Sequence, residues 1–212
     1  MIIAIDGGVA TGKSAVGRRV AEALGLPFVD TGLMYRAVAH TALERGINAG
    51  DGAALAALAS HLQVRVDGRR VWVDGKEVTE HIYDPQISAV VSQVAKVAGV
   101  RLAMVAEQRR LGRGGVVMAG RDIGTVVFPD ADHKFFLTAS LDERVRRRAA
   151  QLAARGQPVD PEQMRIEVQE RDRIDTRRTV APLKPAEDAI VIDTDALDLD
   201  GVVQRVLEHV RG

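Results

Sequence analysis

The chain opens MIIAIDGGVATGKSAVGRRV, and its apolar run at 2–5 has no polar alternation, as expected of a strand covered on both faces in a parallel sheet. From Lys13 to Leu24 the apolar positions change to helical spacing, at Val16, Val20, Ala23 and Leu24, and Gly25 ends the helix. LPFVD then predicts a second buried strand, and TGLMYRAVAHTALERG an amphipathic helix closed by Gly46. Strand, helix, strand, helix is the order of a parallel sheet wrapped by helices.

The period changes at residues 64–78, VRVDGRRVWVDGKEV, where apolar and polar residues alternate and Asp67-Gly68 and Asp74-Gly75 mark tight turns. This predicts a small antiparallel element inserted in the α/β body. Beyond it, 94–111 and 141–155 predict helices, GVVMAGR and HKFFLTA buried strands, AIVIDT a last strand and 199–210 a closing helix. Asp160, Pro161 and Gln163 form a helix start, and that helix is expected to run to about residue 177.

Composition narrows the functions that such a fold could carry. With 29 basic and 29 acidic side chains among 212 residues, there is no bulk attraction to nucleic acid or to a membrane surface, so any anion must be held by local clusters. The absence of cysteine excludes disulfides and thiolate metal sites. No apolar run reaches the length of a membrane span and the start lacks a signal-peptide pattern, so a soluble cytoplasmic chain is the expectation.

Residues Gly7, Gly8, Val9, Ala10, Thr11, Gly12, Lys13 and Ser14 fit G-x-x-x-x-G-K-[ST], between a predicted strand and a predicted helix. In such a loop glycines let backbone N–H groups converge on phosphate oxygens. The helix N-terminus adds positive potential, Lys13 reaches the outer phosphates and Ser14 offers a hydroxyl to Mg²⁺. A nucleoside triphosphate is therefore expected here. GTPases, ATPases and small-molecule kinases share the loop, so the reaction must be read from what faces it.

Three further clusters fall where a parallel sheet gathers its ligands. DTGLMYR places Asp30 and Thr31 at a strand's carboxyl edge, with Tyr35 and Arg36 one helical turn on. AGRDIGTVVFPDA places Arg121 and Asp122 at another such edge. In ERDRIDTRR, Arg171, Asp175 and Arg178 share one helix face with Glu167 a turn earlier. With Arg144, Arg146, Arg147 and Arg148 ahead of a Gly-Pro loop, this last cluster reads as a mobile cationic arm. No residue stands out as a general base. A phosphate acceptor needs none, because a monoester with a second pKa of about 6 is already a dianion at neutral pH.

Together these motifs resemble the bacterial-type cytidylate kinases of the nucleoside monophosphate kinase group, which move the terminal phosphate of ATP to CMP or dCMP. The resemblance runs the whole length and is carried by the phosphate loop, DTGLMYR, SQVAKVAGVR, GRDIGTVVFPDA and ERDRIDTRRTVAPL. It implies an α/β, P-loop three-layer fold with a central parallel five-stranded sheet, a small antiparallel insert for the monophosphate and a helical lid. The implied core is 1–55 and 94–212, the insert 56–93 and the lid 147–171.

On matching positions, residues Gly7 through Ala15 and Arg147 would hold ATP, with Ser14 near Mg²⁺. Thr31, Tyr35 and Arg36 would line the monophosphate site. Ser92, Arg101 and Asp122 would read cytosine, and Arg121 would lie beside the acceptor phosphate. Arg171, Asp175 and Arg178 would serve the acceptor sugar and phosphates. Lys13, Arg121, Arg171 and Arg178 would be the catalytic cations. ATP and CMP or dCMP would be the partners of a monomer, without nucleic acid or membrane. The family usually carries Pro and a small residue where Gly8 and Val9 stand, and Ser in place of Thr31. The rival readings are a kinase for UMP, TMP or shikimate, and a nucleotide switch. The N-K-x-D motif by which GTPase switches read guanine does not occur.

Overall fold

The computed structural model describes all residues, 1–212. The opening apolar run forms β1 (Ile2–Gly7), buried from Ile3 onward, and a loop leads into α1 (Lys13–Leu24), which Gly25 caps at φ 65°. β2 (Phe28–Asp30) runs directly into α2 (Thr31–Glu44). Asp30 makes that junction sharp, since its carboxylate accepts from Gly32 N at 3.0 Å as the helix cap.

The inserted element contains more helix than the alternation predicts. α3 (Gly52–His61) precedes the antiparallel strands β3 (Val64–Asp67), β4 (Arg70–Val73) and β5 (Lys76–Glu77), and α4 (Pro85–Ala95) follows them. The expected insert limits, 56 and 93, fall inside α3 and α4. The second turn is the expected Asp74-Gly75 pair, with both residues at positive φ. The first is shifted by one residue: Asp67 pairs with Arg70, so Gly68 and Arg69 form the loop. The helix expected over 94–111 is also interrupted. Val97 adopts an extended backbone that separates α4 from α5 (Ala98–Leu111), and the two helices meet at 95°.

The remaining elements are β6 (Val116–Gly120), a π-turn over Ile123–Val127, β7 (His133–Thr138), α6 (Leu141–Ala153), α7 (Pro161–Arg177), β8 (Ile190–Asp193) and α8 (Leu199–Arg211). α7 starts where Asp160 accepts from Glu162 N and Gln163 N, as its capping pattern predicts.

The five parallel strands lie in the order β2-β6-β1-β7-β8. Because β1 is central, its two sets of side chains enter different cores. Ile3 and Ile5 pack with Val16 and Val20 of α1 and Val202, Val206 and Leu207 of α8. Ala4 joins the larger core formed by α2 to α5 and the insert. The order reverses beside β1, so the carboxyl ends of β1, β2 and β6 open onto one crevice, where open α/β sheets bind ligands.

Helices α3 and α5 cross without a spacer at Gly99, where an added Cβ would stand 2.4 Å from the Cβ of Ala56. Gly99→Val is expected to force the helices apart and cost about 1–3 kcal/mol of unfolding free energy, measured by urea denaturation.

Candidate active site

The phosphate loop is braced from inside. Lys13 Nζ donates to Gly8 O at 2.5 Å, and Thr11 Oγ1 donates to the same carbonyl at 3.1 Å. Lys13 is buried, and burial followed by repulsion from Arg121 holds its pKa well below the ordinary lysine value. That repulsion ties the loop to the neighbouring cationic cluster. Gly12 adopts φ 94°, and Ala10 is left-handed as well, at φ 59°, despite carrying a Cβ. Ser14 Oγ donates to Asp30 Oδ2 at 2.5 Å, so the hydroxyl expected near a cation is backed by a carboxylate from β2.

Arg147 stands beside the loop, its Nη1 4.0 Å from where a Gly12 Cβ would lie. Glu143 and both oxygens of Thr194 hold its guanidinium in place there. Arg144 lies against Gly8 and is paired with Asp172 at 2.6 Å. Arg146 is on the surface with Glu143, and Arg148 lies near Arg155 and Tyr83. The arginines of α6 therefore diverge and do not form one patch.

All ten residues that the resemblance assigns to the acceptor line a single cavity. They are Thr31, Tyr35, Arg36, Ser92, Arg101, Arg121, Asp122, Arg171, Asp175 and Arg178. α2 supplies the first three, α4 Ser92 and α5 Arg101. The end of β6 brings Arg121 and Asp122, and α7 with its C-cap brings the rest.

Five guanidinium groups and two carboxylates give this lining a formal surplus of three positive charges. Asp122 is hydrogen-bonded to Arg101 Nη2 and lies 3.6 Å from Arg178 Nη2. Asp175 accepts from Arg121 Nε at 2.8 Å and lies 3.8 Å from Arg178 Nη1. Burial opposes the charge of Arg101, but Tyr35 and Asp122 outweigh it and raise the pKa. Asp175 shows the converse: burial would raise its pKa, yet Arg121 and Arg178 hold it below the ordinary carboxylate value.

Arg36 and Arg171 have no carboxylate partner. Arg36 donates instead to Ile82 O and Ser88 Oγ, both at 3.0 Å, and lies over the Tyr83 ring. Burial, then Arg148, lowers its pKa to about 10. Burial, then Arg121 and Arg36, lowers that of Arg171 to about 9. Buried N–H groups of Arg101, Arg171 and Arg178 find no acceptor within the chain. Unpaired buried charge and unmet donors are costly unless a ligand answers them, and here they call for an anion. Thr31 faces the cavity differently from a free donor, because its hydroxyl already donates to Ala119 O at 2.9 Å.

The model of the cytidylate kinase family matches residues 3–212. A cytidylate kinase of Pelotomaculum thermopropionicum is 49% identical over 214 residues, which cover 98% of this chain and 95% of that one.

The chain belongs to the cytidylate kinase family.

A bifunctional pantoate ligase/cytidylate kinase of a Synechococcus species is 48% identical over 218 residues. That match takes in 99% of this chain, which spans only 40% of that protein's length. A solved shikimate kinase from Bacteroides thetaiotaomicron shares the fold alone, with TM-score 0.52 and 14% identity over 100% of this chain and 99% of its own. Within the cytidylate kinase fold, sequence reading singled out neither the Arg144–Asp172 pair against Gly8 nor Asp6 as site residues. Only a lone charge in an apolar strand could have pointed to Asp6.

The loop of this cytidylate kinase family member carries local strain at Ala10, where a left-handed L-residue costs about 1–2 kcal/mol. Ala10→Gly relieves it at the expense of greater unfolded-state freedom, and a net stabilisation of about 0.5–1 kcal/mol is expected in thermal unfolding. Destabilisation would show that the loop is not strained at this residue.

Proposed function

We propose that this protein transfers the terminal phosphate of ATP to CMP and dCMP, giving ADP and the nucleoside diphosphate. The observation that carries this reading is a pair of arginines without carboxylate partners, the buried Arg36 and the part-buried Arg171 with its buried, unpaired Nε, in a cavity next to a braced phosphate loop. A phosphate dianion between them satisfies both charges and supplies its own nucleophilic oxygen, which agrees with the lack of a general base.

Lys13 and the loop amides hold the ATP phosphates, with Arg147 alongside. Arg121, adjoining Lys13, stands between donor and acceptor phosphates. Catalysis is then positioning plus electrostatic stabilisation of the in-line transfer, with residues 147–171 closing as a lid to exclude water. No cluster of three His, Cys, Asp or Glu side chains is present. The Ser14 hydroxyl, with the Asp30 carboxylate behind it, would offer oxygen ligands to a cation held largely by phosphates, the habit of Mg²⁺. Bound there with ATP, Mg²⁺ supplies neutralising charge to the phosphates.

Base choice follows from the Arg101–Asp122 pair. The Asp122 carboxylate accepts from the exocyclic amino group of cytosine, while Arg101 and Ser92 donate to the ring N3 and O2. Uracil presents a carbonyl where cytosine has the amino group, so it would face the carboxylate with no proton to share. Asp175 and Arg178 serve the sugar and phosphates.

A coupled ADP-release assay across nucleoside monophosphates and shikimate should show CMP and dCMP as preferred acceptors. No release with any monophosphate, alongside tight GTP binding, would favour a nucleotide switch instead. Arg121→Ala and Arg178→Ala are each expected to lower turnover by about 10²–10³-fold with the fold intact by circular dichroism. Asp122→Ala should erode the preference for CMP over UMP, and an unchanged preference would remove Asp122 from base reading.

A further inference from the structure

Asp6 is the single charged residue of β1 and is only 4% exposed. It lies in register beside Gly120 of β6, one residue before the phosphate loop begins. Both carboxylate oxygens are used: Oδ1 accepts from Ile123 N at 2.9 Å and Oδ2 from Gly124 N at 2.8 Å. These amides open the π-turn, where no residue of the turn itself lies far enough back to accept from them.

Asp122 occupies the N-cap position of that turn. An aspartate there ordinarily folds its carboxylate onto the first free amides. Asp122 makes no such bond. Its carboxylate faces Arg101 and Arg178 across the cavity. The capping role has thus passed to a different strand, and the residue freed by the exchange is the one that lines the acceptor cavity.

We propose that Asp6 is a positioning residue of the acceptor site: by capping the π-turn from β1 it releases the Asp122 carboxylate into the cavity and fixes Arg121 and Asp122 relative to the phosphate loop. The inference rests on reading that cavity as the acceptor site. Packing leaves the turn little freedom, since a Cβ on Gly124 would stand 3.2 Å from Lys134 Cδ and 3.5 Å from Asp6 Oδ2. Burial pushes the Asp6 carboxyl up to about 6 against the two backbone bonds, so at pH 8 the carboxylate is the form that accepts both amides.

Asp6→Asn keeps the size of the side chain but leaves one acceptor oxygen and sets an NH₂ group against a backbone N–H. At pH 8 the KM for CMP should rise about 10-fold or more, the equivalent of one hydrogen bond to a charged group, and the preference for CMP over UMP should fall. The KM for ATP should change by less than about twofold. An unchanged KM for CMP, or equal losses for both substrates as from a general loosening of the fold, would overturn the proposal. In an Asp122→Ala background the Asp6→Asn change should add little to the loss of base preference, and full additivity would also overturn it.

Should Asp6→Asn not fold, amide hydrogen exchange on the unaltered protein provides the test. The Ile123 and Gly124 amides should exchange as slowly as those of β1, and exchange at the rate of an exposed loop would refute the capping. A wild-type protein that phosphorylates no nucleoside monophosphate would reject the reading of the cavity, whereas the exchange result bears on the capping alone.

Discussion

The site is organised by one imbalance of charge: five guanidinium groups line a cavity with two carboxylates. Removing one partner of a buried ion pair commonly costs about 3–5 kcal/mol, so Asp122 and Asp175 are what allow Arg101 and Arg178 to be buried and the part-buried Arg121 to stand beside them. Those carboxylates serve three cations and leave none for Arg36 and Arg171. For Arg36 the fold accepts the remaining charge because backbone carbonyl, hydroxyl and the Tyr83 ring share it. The lining thus carries a deficit of negative charge, one that suits a doubly charged anion.

That deficit also explains why so many elements meet here. A carboxylate on a strand edge can hold a guanidinium from a helix only if both backbones are fixed independently. β6 delivers Arg121 and Asp122 on a sheet pinned by β1 and β2, while α5 and α7 deliver their partners. Asp30 has a comparable double role, capping α2 with one oxygen and accepting from Ser14 with the other, so the loop and α2 share one anchor. Asp6 repeats the arrangement between β1 and the π-turn. Each is an acidic residue at a strand end that spends its charge on fixed donors.

Features written in local chemistry were legible in the sequence. β1, the loop and α1 follow from an unbroken apolar run, spaced glycines and helical periodicity, and α7 begins where Asp160, Pro161 and Gln163 require. α3 was hidden because GAALAALASH is apolar or small nearly all round and has weak periodicity. The interruption at Val97 was hidden because AKVAGV is compatible with continuous helix, and only packing turns it. In the first hairpin the choice of Gly68-Arg69 over Asp67-Gly68 sets Val66 against Val71 and Val64 against Val73, where the other turn would set Val66 against Arg69, so apolar cross-strand pairing overrode the local turn signal. For the site, the motifs named the lining residues, but which cation meets which carboxylate depends on tertiary distance and could not be read from spacing.

The Gly8-Val9 pair, the departure from the usual family loop, has a physical account in the contacts around it. A Cβ at residue 8 would stand 3.3 Å from both Arg144 Nη1 and Asp172 Oδ1, so glycine lets that ion pair rest on the loop. Val9 packs into a small apolar cluster with Val145 of α6 and Met164 and Val168 of α7. The phosphate loop is therefore held to both arginine-bearing helices by one ion pair and one apolar contact. Neither interaction reaches the main cores, because this cluster is separate from both.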